Sequence, residues 1–546
     1  MIDYNIGNVL EQVALKMPDK RGLVAPRKGG WQSWSFQELA AITNYFVGEL
    51  HELGIKKGDR VMLMVRPSVE FICLTFSLFQ LGAVVILIDP GMGYKNLLRC
   101  IGAVMPDILI GIPTAIYFSA IFRKPFVSLR TRVCVGPSLL WRGACLERIE
   151  DSIPQSERSG VPHFKAGVDD LAAIIFTTGS TGPPKGVQYT HGIFHAQLEL
   201  IRDYFGIGAG DVDQPGFPLF GLFSIALGAT AVIPDMDPTR PAKVDPGKFV
   251  SSIVEHGVTY SFGSPAIWNV VSRYCLENDV KLPVEKILMA GAPVPGTLIK
   301  SLQQLMGDNA EIFTPYGATE SLPIAAIEGH EVTGETWEQT RHGRGTCVGR
   351  PLPGITIKVI TPCDDPVSEW GKTTELPLGE IGEIVVKGAV VTRAYDSNTH
   401  ENVHAKIKDG KTFWHRMGDM GYFDEQGRLW FCGRKAHRVF TDSETLYTIP
   451  CEAIFNEHPA VFRSALVGVG KIGKQRPVLI VELKQKSRNH GMLFQQLKGL
   501  AVANTLTQGI ETFLVHPGFP VDIRHNAKIF REQLALWAKR KVGCYD

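Results

Sequence analysis

Between residue 50 and about residue 300, short apolar runs recur between stretches of helical periodicity. Val61–Val65, Ala83–Ile88, Ile108–Ile112, Ala172–Phe176 and Ile287–Ala290 are apolar at nearly every position, with no inward/outward alternation. A strand of that kind is covered on both faces, which happens in parallel sheets flanked by helices. Beyond Gly354 the texture changes to glycine-rich strand pairs, ITIKVI and GEIGEIVVKG, and DEQGRLWF (424–431) predicts a hairpin turning at Gln426-Gly427. The last hundred residues combine helices with alternating strands (SALVGVG, PVLIVEL). A chain of 546 residues exceeds one core. The expectation is an α/β protein. Residues 1–432 form a large N-terminal domain of parallel-sheet α/β subdomains plus a β-rich subdomain, and 433–546 a small α+β C-terminal domain. Internal repeats and heptads are absent from the sequence.

Two apolar segments bear on location. The opening MIDYNIGNVLEQVALKMPDK lacks the continuous apolar core of a signal peptide and predicts an amphipathic helix with Val9, Leu10, Val13 and Leu15 near one face. Phe71–Ile88 is 18 residues of mostly apolar sequence, the lower edge of a membrane-spanning length. Ser68 and Glu70 mark a helix start, Gly82 interrupts the run, and AVVILIDP has the form of a buried strand, so a helix–strand unit is expected and not a transmembrane segment. A net charge of +2 provides no basic field for nucleic acid. Ten cysteines from Cys73 to Cys544, with no CxxC pair, fit a reducing, cytoplasmic setting.

The chemistry concentrates first in LAAIIFTTGSTGPPKGVQYTH, residues 171–191. A buried strand runs into Thr177, Thr178, Gly179, Ser180, Thr181 and Gly182, with Lys185 close behind. Glycines let backbone approach a phosphate, hydroxyls and amides donate hydrogen bonds, and lysine brings charge. A plain flexible loop would not need the preceding strand, two prolines and a lysine. This is not a Walker A loop, because Pro184 precedes Lys185 and Gly186 follows it. TTGSTGPPKG resembles the phosphate loop of the adenylate-forming superfamily, which includes acyl-CoA synthetases, luciferases and peptide-synthetase adenylation domains.

The resemblance continues in order along residues 171–534, about two thirds of the chain. It implies ATP and Mg²⁺ as the groups bound. In AGAPVP (290–295), Gly291, Ala292 and Pro293 would line the adenine; in FTPYGATE (313–320), Tyr316 would stack on it beside Gly317. Thr319 would contact the α-phosphate and Glu320 would hold Mg²⁺; an aromatic face suits a purine and a hard carboxylate suits Mg²⁺. In HRMGDMGYFDEQGRLWFCGRK (415–435), Asp419 would take the ribose hydroxyls, with Arg434 reaching ribose or phosphate. In PVDIRHNAKIFREQL (520–534), Lys528 matches the lysine that enters the site from the small domain, with Arg531 and Leu534 at the family spacing. The implied catalytic set is Lys528, Lys185, Thr319 and Glu320.

Departures from the family narrow the chemistry. The hinge position two residues after Arg434 is Ala436, where an Asp or Lys is usual, and HRVFTDSETLYTIPCEAIF (437–455) has no glycine where a thiol would pass close to backbone. That pattern supports adenylation and argues against thioester formation. Phe217, Phe220, Leu222 and Phe223 predict an apolar acyl site, although core packing alone would also place such residues here. IPDMDPTRP, GYFDEQGRLWFCGRK and VDIRHNAKI resemble the olefin β-lactone synthetase branch. The resemblance implies a long-chain 2-alkyl-3-hydroxy fatty acid, activated as its adenylate and closed by its own 3-hydroxyl to a β-lactone. It also implies work beside a thiolase-like condensing enzyme, a reductase and a decarboxylase of a long-chain olefin pathway. His191, Asp235 and the AMP phosphate are all candidates for the base that takes the hydroxyl proton, and the sequence does not choose among them. The competing readings are a long-chain acyl-CoA synthetase, a carrier-loading adenylation enzyme and a non-catalytic sensor.

Overall fold

The computed structural model describes residues 3–138, 141–149, 161, 163–177, 183–485, 489–521 and 528–543. Its apolar runs form two large sheets. In one of seven strands the order is Cys145–Leu146, Thr131–Val135, Ile108–Gly111, Arg60–Met64, Val84–Leu87, Leu171–Phe176, Gly186–Thr190. Neighbours run parallel except the last pair, Leu171–Phe176 and Gly186–Thr190, which is antiparallel. Helix Val69–Gln80 is buried along its whole length, as expected of a helix apolar on every side. Ser68 caps it by accepting from the Phe71 N–H, and Glu70 pairs inside with Arg27 at 3.2 Å. Strand Val84–Leu87 follows. Among the described residues, no helix is long and apolar enough to cross a membrane.

The second sheet has 14 strands. Its parallel part contains Tyr260–Gly263, Lys286–Met289 and Glu311–Ala318; at Glu311–Ala318 the chain turns back through Ser321–Glu328 and all further pairs are antiparallel. The β-rich region therefore continues the parallel sheet through shared ladder bonds. The hairpin at 424–431 forms as expected: Asp424 accepts from the N–H groups of Gln426 and Arg428, with Gly427 at φ +72°. The first helix, Asn8–Lys16, differs in one position. Leu10, Val13 and Ala14 face inward, while Leu15 is 81% exposed, because five residues after Leu10 it lies well round the helix.

From Val439 onward the chain builds its own elements. These are a two-stranded hairpin, a three-stranded sheet of Val461–Val469, Arg476–Leu483 and Thr512–Val515, and helices Thr448–Asn456, Gly491–Val502 and Arg531–Val542. Among the described residues, the buried members of its core clusters fall within 439–538. The structure thus has the α/β, α+β composition expected.

Candidate active site

The carboxyl ends of parallel strands deliver the site, as crevices at strand ends commonly do. Tyr260–Gly263, Lys286–Met289 and Glu311–Ala318 end at Ser264, Gly291–Pro293 and Tyr316–Glu320, and these line a cavity of about 860 Å³. Gly291 sits at φ +97°, a backbone state in which a side chain is strained. A Cβ on Gly317 would lie 2.5 Å from the Ser321 carbonyl oxygen, so the return of the chain here needs glycine.

Sheet register makes the next group. Asp419 and Arg434 are direct cross-strand partners, and Arg434 Nη1 lies 3.0 Å from Asp419 Oδ1. The Tyr316 hydroxyl donates to Asp419 Oδ2 at 2.6 Å. Burial pushes the Asp419 carboxyl above the usual range, while Arg434, Tyr316 and the charge of Lys528 pull it back. Lys528, contributed by the C-terminal unit, lines the same cavity.

A second chain of contacts runs through Thr177 and Lys185. Lys185 N–H donates to Thr177 Oγ1 at 3.2 Å, and Thr177 N–H to the Lys185 carbonyl, closing the two ends of the loop. Thr178, Gly179, Ser180, Thr181 and Gly182 lie outside the described residues. Lys185 Nζ pairs with Glu401 and stands 5.1 Å over the Tyr395 ring. Tyr395 donates to Glu320 Oε1 at 2.7 Å, and the Tyr189 hydroxyl donates to the Thr319 carbonyl. Thr177, Lys185, Thr319 and Glu320 all line the cavity.

Phe217, Phe220, Leu222 and Phe223 line it too, with Phe220 stacked on Phe262 at 3.9 Å between ring centroids. Neither side-chain candidate for the base does. His191 is fully buried under Phe79, accepts the Ile6 N–H at Nδ1, and is pulled down to about 4 by desolvation. Asp235 is half-exposed and bound to Lys248 at 2.8 Å. Both belong to motif blocks whose inward faces are other residues.

Glu401, Tyr395, Tyr189 and Gln197 were not singled out from sequence. The one available signal was Asn398, three residues before Glu401, which caps helix Thr399–Ala405 by accepting the Glu401 N–H. It marks a helix start but says nothing of the carboxylate's partner. Around the hinge, Ala436 lines the cavity, Lys435 pairs with the buried Glu383 at 3.2 Å, Arg438 with Asp364 at 2.8 Å, and His437 with Glu532 at 3.0 Å.

Residues 10–396 match the family described as AMP-binding enzyme. The chain belongs to the AMP-binding enzyme family. It is an AMP-forming, acid-activating ligase, and its order of motifs is that of the adenylate-forming enzymes. An olefin beta-lactone synthetase of Stenotrophomonas maltophilia (strain K279a) is 43% identical over 539 residues, covering 97% of this chain and 96% of that protein. A protein of the same name from Xanthomonas campestris pv. campestris is 43% identical over 552 residues, covering 98% of each. In fold, the chain is similar to O-succinylbenzoate coenzyme A synthetase of Bacillus subtilis in complex with ATP and magnesium ion. That match has a TM-score of 0.74 and 22% identity, over 96% of this chain and 99% of that one. AMP-binding enzymes generally use ATP and Mg²⁺. The donor set here fits both: a carboxylate facing an arginine and a tyrosine, an aromatic ring beside a glycine, and a lysine near a second carboxylate.

Proposed function

We propose that this enzyme activates the carboxylate of a long-chain 2-alkyl-3-hydroxy fatty acid with ATP and closes it to a β-lactone, releasing AMP and diphosphate. The observation that carries the reading is the meeting of Lys185, Thr319 and Lys528 with the aromatic wall of Phe217, Phe220 and Phe223 in one cavity. An apolar chain and a triphosphate are recognised side by side there. The near full-length likeness to two proteins named olefin beta-lactone synthetase favours the lactone over a thioester.

In this reading Asp419 and Arg434 take the ribose, Tyr316 faces the adenine held by Gly291–Pro293, and the loop 177–182 with Lys185 holds the phosphates. Glu320 would hold Mg²⁺, which supplies positive charge beside the phosphates when bound. Lys528 orients the substrate carboxylate against the α-phosphate. A carboxylate oxygen bonds to the α-phosphorus as the bond to the β-phosphate oxygen breaks, and diphosphate leaves. The substrate's 3-hydroxyl oxygen then bonds to the acyl carbon as the bond to AMP breaks, its proton passing to the AMP phosphate. The nucleophile is tethered, so the second step requires orientation only. The C-terminal unit beginning at Gly433 is proposed as the domain that presents Lys528, and the partners as other enzymes of a long-chain olefin pathway.

Product analysis with ATP, Mg²⁺ and a synthetic long-chain 2-alkyl-3-hydroxy acid, with and without CoA, tests this. β-Lactone plus AMP without CoA is the expected result. Thioester formed only with CoA would instead make the enzyme an acyl-CoA synthetase.

A further inference from the structure

The apolar lining of the cavity includes residues of two cores that meet along one helix. Ile6, Phe76, Phe79 and Tyr189 line it and belong to the core around helix Val69–Gln80, with Leu87 and Phe194 packed against them. Phe205, Ile207, Tyr260 and Leu288 line it and belong to a different core, with Ile201 and Phe262 packed against them. Helix His191–Asp203 spans both. Phe194, Gln197 and Ile201 share one face at i, i+3 and i+7, so its two apolar ends are about 10 Å apart at 1.5 Å per residue.

Between them stands Gln197, the polar member of that face. It is buried, its Nε2 donates to the Leu322 carbonyl at 2.7 Å, and its Oε1 has no donor among the described residues. A carbonyl can only accept, so the amide must turn its nitrogen to Leu322 and keep its oxygen for another donor. Tyr189 and Thr319, joined by their own hydrogen bond, line the cavity as well. A single straight acyl chain needs one apolar trough. Along this helix the cavity is apolar on either side of a polar midpoint, Gln197.

We propose that the acyl cavity forks at Gln197 and holds two hydrocarbon chains of one substrate, one against Phe76, Phe79 and Leu87, the other against Ile201, Phe205 and Ile207. This rests on the two-chain acid proposed above and assigns each chain its own arm. The carbons bearing carboxylate and hydroxyl lie at the fork, where the polar groups are.

Leu87 and Ile201 are each partly buried and line the cavity, so enlarging either narrows one arm. The experiment measures pyrophosphate release by wild type, Leu87→Trp and Ile201→Trp with 2-alkyl-3-hydroxy acids in which either chain is long or short. Each variant is expected to lose about tenfold or more in kcat/KM when one particular chain is long, and to recover when that chain is short. The sensitive chain must differ between the two variants. Recovery on the short-chain acid also reports that the variant is folded. Leu87→Phe and Ile201→Phe carry the same test with a smaller change. If both variants penalise the same chain, or neither chain, the fork is overturned while the proposed reaction stands. If wild type releases no pyrophosphate with any two-chain acid but does so with linear fatty acids, the proposed substrate fails and the fork with it.

Discussion

Glu452→Gln is expected to slow adenylation through a residue the mutation does not touch. Glu452 does not line the cavity; it receives Arg531 through Nη2 at 2.6 and 2.8 Å and Nε at 3.1 Å, and also accepts the Leu466 N–H at 2.8 Å. Both side chains are largely buried, Arg531 13% and Glu452 5% exposed. Arg531 is three residues beyond Lys528 and opens helix Arg531–Val542, so this pair ties the Lys528 segment to helix Thr448–Asn456. A glutamine keeps the shape but removes the charge and one acceptor. Hydrogen bonds to charged groups contribute about 1.5–3 kcal/mol each, and breaking a buried pair costs about 3–5 kcal/mol. If about 3 kcal/mol of that falls on holding Lys528 in place, adenylation slows about 100-fold. The assay is pyrophosphate release at saturating ATP and acid for wild type, Glu452→Gln, Lys528→Ala and the double variant. Lys528→Ala should remove most of the rate, and Glu452→Gln should add nothing in that background. Losses that multiply in the double variant, or an unchanged rate in Glu452→Gln, would refute the coupling.

Asp419→Asn removes the carboxylate shared by Arg434 and Tyr316 and should raise the KM for ATP about 10- to 100-fold, the worth of one charge-assisted hydrogen bond; an unchanged KM would exclude Asp419 from the nucleotide site. Glu401→Gln frees Lys185 from a partly exposed ion pair worth about 1 kcal/mol, so the KM for ATP should fall about fivefold. A rise would mean that Glu401 positions Lys185 and does not compete with phosphate. Two buried groups give opposite pH slopes, read by urea unfolding. His191 stays neutral in the fold, so its contribution of up to about 3 kcal/mol is lost as pH falls from about 6.5 toward 4 and should disappear in His191→Gln. Asp213 is pushed up to about 7 by burial and holds its proton in the fold, so its contribution is present below about 3.8 and lost as pH rises to 7. Asp213→Asn should therefore be more stable than wild type at pH 8, by up to about 4 kcal/mol, and equal to it near pH 4.

The parallel strands were legible because a strand apolar at every position can only sit between two covering layers, and Ala172–Phe176 and Ile287–Ala290 declare that locally. The same holds for Phe71–Ile88, where the capping serine and Gly82 separated a buried helix from a membrane span. Leu15 shows the limit: one residue out of step with the helical period, it turned outward although every apolar neighbour suggested otherwise.

What the sequence determined by itself was the order of chemical groups: loop hydroxyls and Lys185, the glycine of 290–295 and the tyrosine of 313–320, Asp419, Arg434 and Lys528. Each such block carries its meaning in adjacent residues, and local chemistry survives without knowledge of the fold. Pairings between blocks were decided only in three dimensions. Strand register set Asp419 against Arg434, helix Thr399–Ala405 brought Glu401 to a lysine more than two hundred residues earlier, and packing turned His191 and Asp235 away from the cavity. A side chain's reach is a few ångströms, whereas its partner's position is set by the summed packing of every element between them, and that sum is a property of the tertiary structure alone.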